Sequence, residues 1–110
     1  MGTFVDTSFL IASLRVGDEL HERALGWQRA SSLPLVTTEY VLVELLDALT
    51  SPPVRAAAAS AVAVFRRRRV MRIVPASTAL LDEGIDWFAT HADKRWSLTD
   101  CISFVVMRRE

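Results

Sequence analysis

The sequence has little of several residue types on which whole classes of protein depend. Among 110 residues it contains one cysteine, four glycines and four prolines. The lone cysteine, Cys101, cannot form an internal disulfide, which favours a reducing compartment. Neither G-x-G-x-x-G nor G-x-x-x-x-G-K-S/T occurs in the chain, and this argues against nucleotide binding through a glycine-rich loop. The G-x-S-x-G turn of the α/β-hydrolases is missing as well.

Long apolar runs are also missing. The longest stretch without a charged residue is 56–65, which is rich in alanine. It is too short and too weakly apolar to span a bilayer. The first residues lack the basic start and the long apolar stretch of a signal peptide. We therefore expect a cytoplasmic protein that makes no contact with a membrane.

The charges balance, but the two signs are distributed differently. Thirteen acidic and thirteen basic residues give a net charge of zero, and Lys94 is the single lysine among the bases. Four arginines follow one another at 66–69. Arginine suits bidentate phosphate recognition, but such a run at the end of a helix also complements the helix dipole in solvent. Both interpretations of the run stay open.

Hydrophobic periodicity predicts one domain over residues 1–110, in which short strands alternate with helices. Hydrophobic residues make up 51% of the chain, enough for a single core. Strands are predicted at 3–5, 35–36 and 70–74, and helices at 8–15, 19–30, 39–49, 52–69, 78–91 and from 97 onward. On the helix at 78–91 we expect Leu81, Ile85 and Phe88 on the inner face. This alternation indicates α/β layers around a parallel sheet.

Three acidic residues fall where an α/β protein places its ligand. Asp6 follows the first strand, Glu44 lies two turns into the helix after the second strand, and Asp100 lies in the first turn of the last helix. The ligand crevice of an open parallel sheet lies outside the carboxyl ends of its strands, where all three could meet. Each acid also has a structural interpretation. Asp6 is a suitable N-cap, Glu44 could be a solvated residue, and Asp100 forms a capping-box pattern with Ser97.

If the three carboxylates do converge, they require a cation. Two carboxylates about 4 Å apart repel each other by roughly 4 kcal/mol at an effective dielectric constant near 20. Oxygen ligands from aspartate and glutamate select Mg²⁺ or Mn²⁺ over zinc or copper. A metal held in this way is suited to phosphodiester hydrolysis, because it activates water and stabilises the departing oxygen.

Three segments together resemble the PIN-domain ribonucleases, and more narrowly the VapC-type toxins of bacterial toxin–antitoxin pairs. Residues 5–8 read VDTS, 37–44 read TTEYVLVE and 96–104 read WSLTDCISF. The resemblance implies a three-layer α/β/α sandwich with a short parallel sheet, and a Mg²⁺- or Mn²⁺-dependent endoribonuclease. The family's acids would map onto Asp6, Glu44 and Asp100, with the Ser8 and Thr99 hydroxyls as partners of the metal or its waters. An antitoxin whose C-terminal segment covers the site and a homodimer are implied as partners.

The sequence also departs from the family pattern. PIN domains usually continue with another strand that carries a fourth acid, so we expect the C-terminal strands to be missing from this chain, a C-terminal truncation. The alternative function is a non-catalytic PIN-like interaction module that binds an antitoxin or another subunit. Among the tryptophans, Trp96 precedes Asp100 and is the best placed for an RNA or partner contact, whereas packing is expected for Trp27 and Trp87. Both histidines are expected at the surface.

Overall fold

Three short strands and the helices around them form the described part of the chain, in a computed structural model that covers residues 2–13, 26, 34–68 and 71–109. The strands are β1 (Thr3–Phe4), β2 (Leu35–Thr38) and β3 (Arg72–Val74), in the spatial order β1-β2-β3. The helices of these ranges are α1 (Thr7–Ser13), α2 (Glu39–Ala48), α3 (Pro52–Arg68), α4 (Thr78–Thr90) and α5 (Leu98–Arg109). Apart from Gly26, which is helical, the helix predicted at 19–30 lies outside the described residues.

Both strand pairings are parallel, as predicted. Thr3 pairs with Leu35 on one side of β2, and Val36 pairs with Arg72 on the other. Parallel neighbours need crossover connections, which helices usually supply. Between β2 and β3 the helices α2 and α3 do so.

The central strand β2 places its side chains in two hydrophobic cores. Leu35 belongs to a core shared with α1, α2 and α3, in which Phe65 is the largest fully buried side chain. Val36 belongs to a second core with Leu80 of α4 and Ile102 of α5. Because successive residues of a strand point to opposite faces of a sheet, the two cores lie on opposite sides. The predicted α/β/α sandwich is therefore confirmed, with α1–α3 on one face and α4 and α5 on the other.

The predicted inner face of α4 was wrong by about one residue. Ile85 and Phe88 are 44% and 51% exposed, and Leu81 is half-buried. Leu80 and Gly84 are the buried residues of this helix. Judged by hydrophobic side chains alone, Leu81, Ile85 and Phe88 formed the better stripe, because a glycine contributes nothing to such a pattern.

Gly84 determines which face of α4 turns inward. A Cβ atom at this position would collide with Cγ1 of Ile102 and would also lie 3.5 Å from the Cα of that residue. The missing side chain therefore lets α4 and α5 approach closely enough to bury Ile102, which is 1% exposed. This contact matters for function because α5 also carries Asp100.

The arginine run closes α3 at Arg68, and Arg69 lies outside the described residues. Arg66 makes an ion pair with Glu39 at 3.9 Å. The Arg66 side chain is 63% exposed and that of Glu39 35%, so solvent screens the pair and it adds little stability. The second carboxylate oxygen of Glu39 is used differently: Oε1 accepts a hydrogen bond from the Ala76 amide at 2.6 Å. None of the helices in the described ranges is long and apolar enough to cross a membrane.

Candidate active site

The three acids singled out in the sequence line one small cleft. Its walls come from the junction of β1 with α1, from α2 and from the first turns of α5. The cleft measures about 30 Å³, and a space of roughly 10–15 Å³ is enough for one water molecule. The lining residues are Asp6, Thr7, Ser8, Val41, Glu44, Thr99, Asp100 and Ser103. The fold therefore brings distant carboxylates to one place that admits a water molecule or a bare ion.

The end of β1 is fixed before it delivers Asp6 to the cleft. The Val5 amide donates to the Val36 carbonyl at 2.8 Å, and the buried Thr37 hydroxyl donates to the Val5 carbonyl at 2.8 Å. Both backbone polar groups of the residue before Asp6 are thus tied to β2. Asp6 then caps α1, because its Oδ1 accepts from the Phe9 amide at 2.9 Å. The N-cap interpretation of Asp6 is confirmed, and this bond engages one carboxylate oxygen.

Asp100 is held by a reciprocal capping box at the start of α5. Its Oδ2 accepts from the Ser97 amide at 3.1 Å, and its own amide donates to the Ser97 hydroxyl at 3.0 Å. One turn further on, the Ser103 hydroxyl donates to the Thr99 carbonyl at 2.9 Å. The predicted capping box is therefore present, and it orients the first turn of α5 so that Thr99, Asp100 and Ser103 face the cleft.

Glu44 reaches the cleft from the margin of a buried helix. The Thr38 hydroxyl caps α2 by accepting from the Val41 amide at 3.1 Å. Val41 and Leu45 are fully buried, whereas Val43 is 59% exposed. Glu44 lies between these two faces and is half-buried.

The chemistry of the lining fits a hard divalent cation. Three carboxylates and the hydroxyls of Thr7, Ser8, Thr99 and Ser103 surround the cleft, and Mg²⁺ and Mn²⁺ prefer such oxygen ligands. Within the described part of the chain the buried Thr7 Oγ1 atom has no hydrogen-bond partner, so a polar atom at the cleft wall has unused bonding capacity. As the side chains stand, no three His, Cys, Asp or Glu residues of the described ranges are grouped closely enough to hold a metal. The carboxylates would have to move closer to one another to share an ion, so joint coordination stays a prediction.

Cys101 borders the site but is a core residue. It is 1% exposed. Burial raises the pKa of its thiol, and the negative charge of the adjacent Asp100 carboxylate raises this pKa further. The thiolate is the nucleophilic form of cysteine, so a raised pKa keeps the side chain inert. Cys101 is therefore a packing residue of the core and not a nucleophile.

The loop before α5 is held by an aromatic cluster. Trp96 is half-buried and meets Phe104 edge to face, with 4.9 Å between ring centroids. His91, predicted at the surface, is half-buried and stacks on Trp87 at 5.1 Å. Trp87 is half-buried, as expected, whereas Trp27 and the other histidine lie outside the described residues. An RNA or partner contact by Trp96 stays a prediction.

Three hydroxyl residues of the site escaped the sequence-based reasoning. Thr7 and Ser103 line the cleft, and Thr37 fixes the backbone before Asp6. Ser103 lies one helical turn after Thr99 and three residues after Asp100, which is a usable signal on a helix. The buried bond of Thr37 crosses between two strands, so no local pattern could have revealed it.

This arrangement belongs to a recognised class of proteins. The PIN domain family matches residues 3–110, and the chain is therefore a member of the PIN-domain family. It is similar to the 23S rRNA-specific endonuclease VapC20 of two Mycobacterium tuberculosis strains, CDC 1551 / Oshkosh and H37Rv, with 31% identity to each over 107 residues. That match covers 97% of this chain and 81% of each relative.

A solved structure gives the same result. The crystal structure of M. tuberculosis VapC20, a sarcin–ricin loop cleaving toxin, superposes on this chain with a TM-score of 0.77 at 30% sequence identity. The match covers 98% of this chain and 82% of that one. The resemblance to VapC-type PIN toxins and the PIN-like fold, both inferred from the sequence, are thereby confirmed.

Proposed function

We propose that this chain is a metal-dependent endoribonuclease and the toxin of a toxin–antitoxin pair. The observation that carries the proposal is the cleft in which Asp6, Glu44 and Asp100, from three separate elements, lie together. Family membership and 31% identity to an rRNA endonuclease support the same conclusion.

In this proposal the three carboxylates bind Mg²⁺ or Mn²⁺ at the cleft, and the Ser8 and Thr99 hydroxyls bind waters beside it. When bound, such an ion supplies Lewis-acid chemistry: it activates water as a nucleophile and stabilises the departing oxygen of a phosphodiester. The caps at Asp6 and Asp100 hold the backbone at both helix starts, so the carboxylates would approach one another by side-chain movement. Cys101 takes no part, because its thiol is buried and neutral.

We further propose ribosomal RNA as the substrate, and a hairpin of the 23S rRNA sarcin–ricin loop as the first RNA to test. The relatives support this choice, since one is an endonuclease specific for 23S rRNA and its crystal structure is described as that of a sarcin–ricin loop cleaving toxin. Loops of this kind suit a small nuclease, because proteins recognise RNA sequence mainly where bases are unpaired.

The resemblance supports two protein partners as well. We propose that an antitoxin covers the cleft and blocks access of RNA to the acids, and that the toxin forms a homodimer. Multi-angle light scattering of the purified chain would measure the mass of the particle directly. A monomer at all concentrations tested would remove the dimer from the proposal and would leave the nuclease unaffected.

Cleavage of a synthetic sarcin–ricin hairpin tests the activity. The wild-type chain should cut the hairpin with Mn²⁺ and not with EDTA. Asp6→Asn, Glu44→Gln and Asp100→Asn should each lower the rate by more than roughly 100-fold, since even outer partners of metal ligands are worth 10–100-fold. Asp82→Asn removes an exposed acid of α4 that does not line the cleft, and it should leave the rate unchanged. Equal cleavage by all variants would point to a contaminating nuclease and would refute the site.

Calorimetry separates the nuclease from the alternative, a non-catalytic interaction module. Mn²⁺ titrated into the wild-type chain should give saturable heats that Asp6→Asn abolishes. Asn still caps a helix as well as Asp does, so the loss would come from the carboxylate charge and not from a misfolded α1. Equal heats from both proteins would favour the interaction module.

A further inference from the structure

A second pocket lies on the other side of the α5 start. It measures about 270 Å³ and is formed by the end of α4, the loop after it and the first turn of α5. The aromatic rings of Phe88, His91 and Trp96 line it, together with Lys94, Cys101 and two alanines. Pockets for drug-sized ligands span roughly 300–1,000 Å³, so this one suits a single planar ring system.

Two rings of this pocket, His91 and Trp96, are held in place by contacts with other rings. His91 lies between two indoles, stacked on Trp87 at 5.1 Å and tilted against Trp96 at 5.6 Å. Its Nδ1 lies 2.9 Å from the Trp87 carbonyl, and because a carbonyl only accepts, Nδ1 is the donor. Trp96 is braced from behind by Phe104. Rings that are already fixed lose little conformational freedom on binding, which favours stacking of a further ring.

Positive charge accompanies the rings. The Lys94 ammonium lies 5.8 Å from the centroid of the Trp96 ring, and Arg95 beside it is exposed. Aromatic faces combined with cationic side chains form the usual platform for single-stranded nucleic acid, because bases stack on the rings while the cations attract the phosphates. Asp93 pairs with Lys94 at 3.5 Å, but both groups are largely in solvent, so the pair does not hold the ammonium away from a phosphate.

The pocket and the acid cleft share one helix start. Cys101 lines the pocket, and the preceding residue, Asp100, lines the cleft. Consecutive helical residues are about 1.5 Å apart along the axis and roughly 100° apart around it, so the two sites flank the same turn. An RNA strand with a phosphate at the carboxylates can therefore place a neighbouring base in the pocket.

We infer that this pocket receives an unstacked base of the RNA, next to the phosphodiester that the proposed nuclease site would cut. The inference rests on the proposed function and adds a specificity element to it. The base would stack on Trp96, and its own phosphate would lie near Lys94. A pocket of about 270 Å³ can hold one base that is flipped out of its stack, whereas a paired helix is too large for it.

Filling the pocket tests the inference. Ala89 lines it and is exposed on α4, so Ala89→Phe places a ring in the pocket without disturbing the core. Ala79→Phe is the matched control, because Ala79 is an exposed residue of the same helix outside the pocket. Binding is measured by fluorescence anisotropy in EDTA, so that no cleavage occurs, with the labelled sarcin–ricin hairpin and with copies that carry one abasic residue at successive loop positions.

One abasic position should weaken binding to the wild-type chain by roughly 5- to 150-fold, the worth of one stacked base. Ala89→Phe should bind the intact hairpin more weakly by a similar factor, and the abasic substitution at that position should not weaken its binding further. Ala79→Phe should bind all hairpins as the wild-type chain does. Trp96→Leu should reproduce the Ala89→Phe result, with thermal unfolding confirming that both variants are folded.

Two results would overturn the inference. In the first, Ala89→Phe binds every hairpin as the wild-type chain does. In the second, it weakens binding of an antitoxin and not of RNA, which would assign the pocket to a protein contact. Either result, together with Mn²⁺-dependent cleavage by the wild-type chain, leaves the proposed function intact. Failure of the wild-type chain to cleave would instead refute the function itself.

Discussion

Gly84→Ala should destabilise the protein although alanine is the better helix former. Replacing glycine by alanine in a helix interior gains about 1 kcal/mol of intrinsic propensity. Here the new Cβ would collide with Cγ1 of Ile102 and would meet its Cδ1 at 3.4 Å. Ile102 is 1% exposed within the second core, so it cannot turn away, and overpacking of this kind costs roughly 1–3 kcal/mol. A net loss of about 1 kcal/mol would lower Tm by roughly 4 °C for a chain of this length.

Thermal unfolding monitored by circular dichroism measures the effect, and Gly26→Ala supplies the control. Gly26 is also helical, but a Cβ there would meet no atom of the described residues within 4 Å, so the same substitution should raise Tm by the propensity gain alone. Ile102→Ala should cost less in the Gly84→Ala background than in the wild-type chain, because it removes the colliding atom. A Tm of Gly84→Ala equal to or above that of the wild-type chain would refute the close-approach account of the α4–α5 contact.

Three further predictions concern the groups around the cleft. Thr37→Val leaves the buried Val5 carbonyl without its side-chain donor and should cost about 1–3 kcal/mol in urea unfolding. In EDTA, Asp6→Asn should be at least as stable as the wild-type chain, because it relieves repulsion and keeps the cap, whereas Asp6→Ala should be about 1 kcal/mol less stable than Asp6→Asn. The pKa of the Cys101 thiol is raised in the folded chain. The free energy of unfolding should therefore be unaffected by this thiol below its pKa in the unfolded chain, about 8.5, and should fall as the pH rises toward its pKa in the folded chain. Cys101→Ala should lack this loss in urea unfolding across that range.

The fold could be predicted where sequence patterns are local. The prediction failed at Gly84, whose effect on packing comes from the side chain that it lacks. Alternating strands and helices identified the parallel sheet, and the capping signals at Ser97 and Asp6 were correct. Strand β2 runs to Thr38, two residues beyond the prediction, because Thr37 and Thr38 pair with Ile73 and Val74 of β3. The face of α4 was wrong because Gly84 is small, and hydrophobic patterns count only side chains that exist.

The positions of the acids in the site could be predicted, whereas the features that depend on helix packing could not. Asp6, Glu44 and Asp100 could be placed at one edge of the sheet, because parallel topology fixes where strands end and helices begin. The lining hydroxyls of Thr7 and Ser103 carry little signal in a sequence rich in such residues. The aromatic pocket beside Asp100 depends on how α4 packs against α5, and this depends on Gly84. A pattern that misplaces α4 therefore also misses the pocket.

The capping role and the proposed ligand role of the aspartates are compatible. An ionised carboxylate has two oxygens and about four lone-pair sites. The Phe9 amide engages Oδ1 of Asp6, and the Ser97 amide engages Oδ2 of Asp100, so each cap uses one oxygen and limits the directions in which the other can point. The positive ends of α1 and α5 also offset part of the repulsion between the two acids. Asn, unlike Ala, keeps the cap and removes the charge. A loss of Mn²⁺ binding by Asp100→Asn at an unchanged Tm would therefore come from the missing charge, whereas a lower Tm would show that the cap, or the interaction of the charge with the start of α5, had been lost.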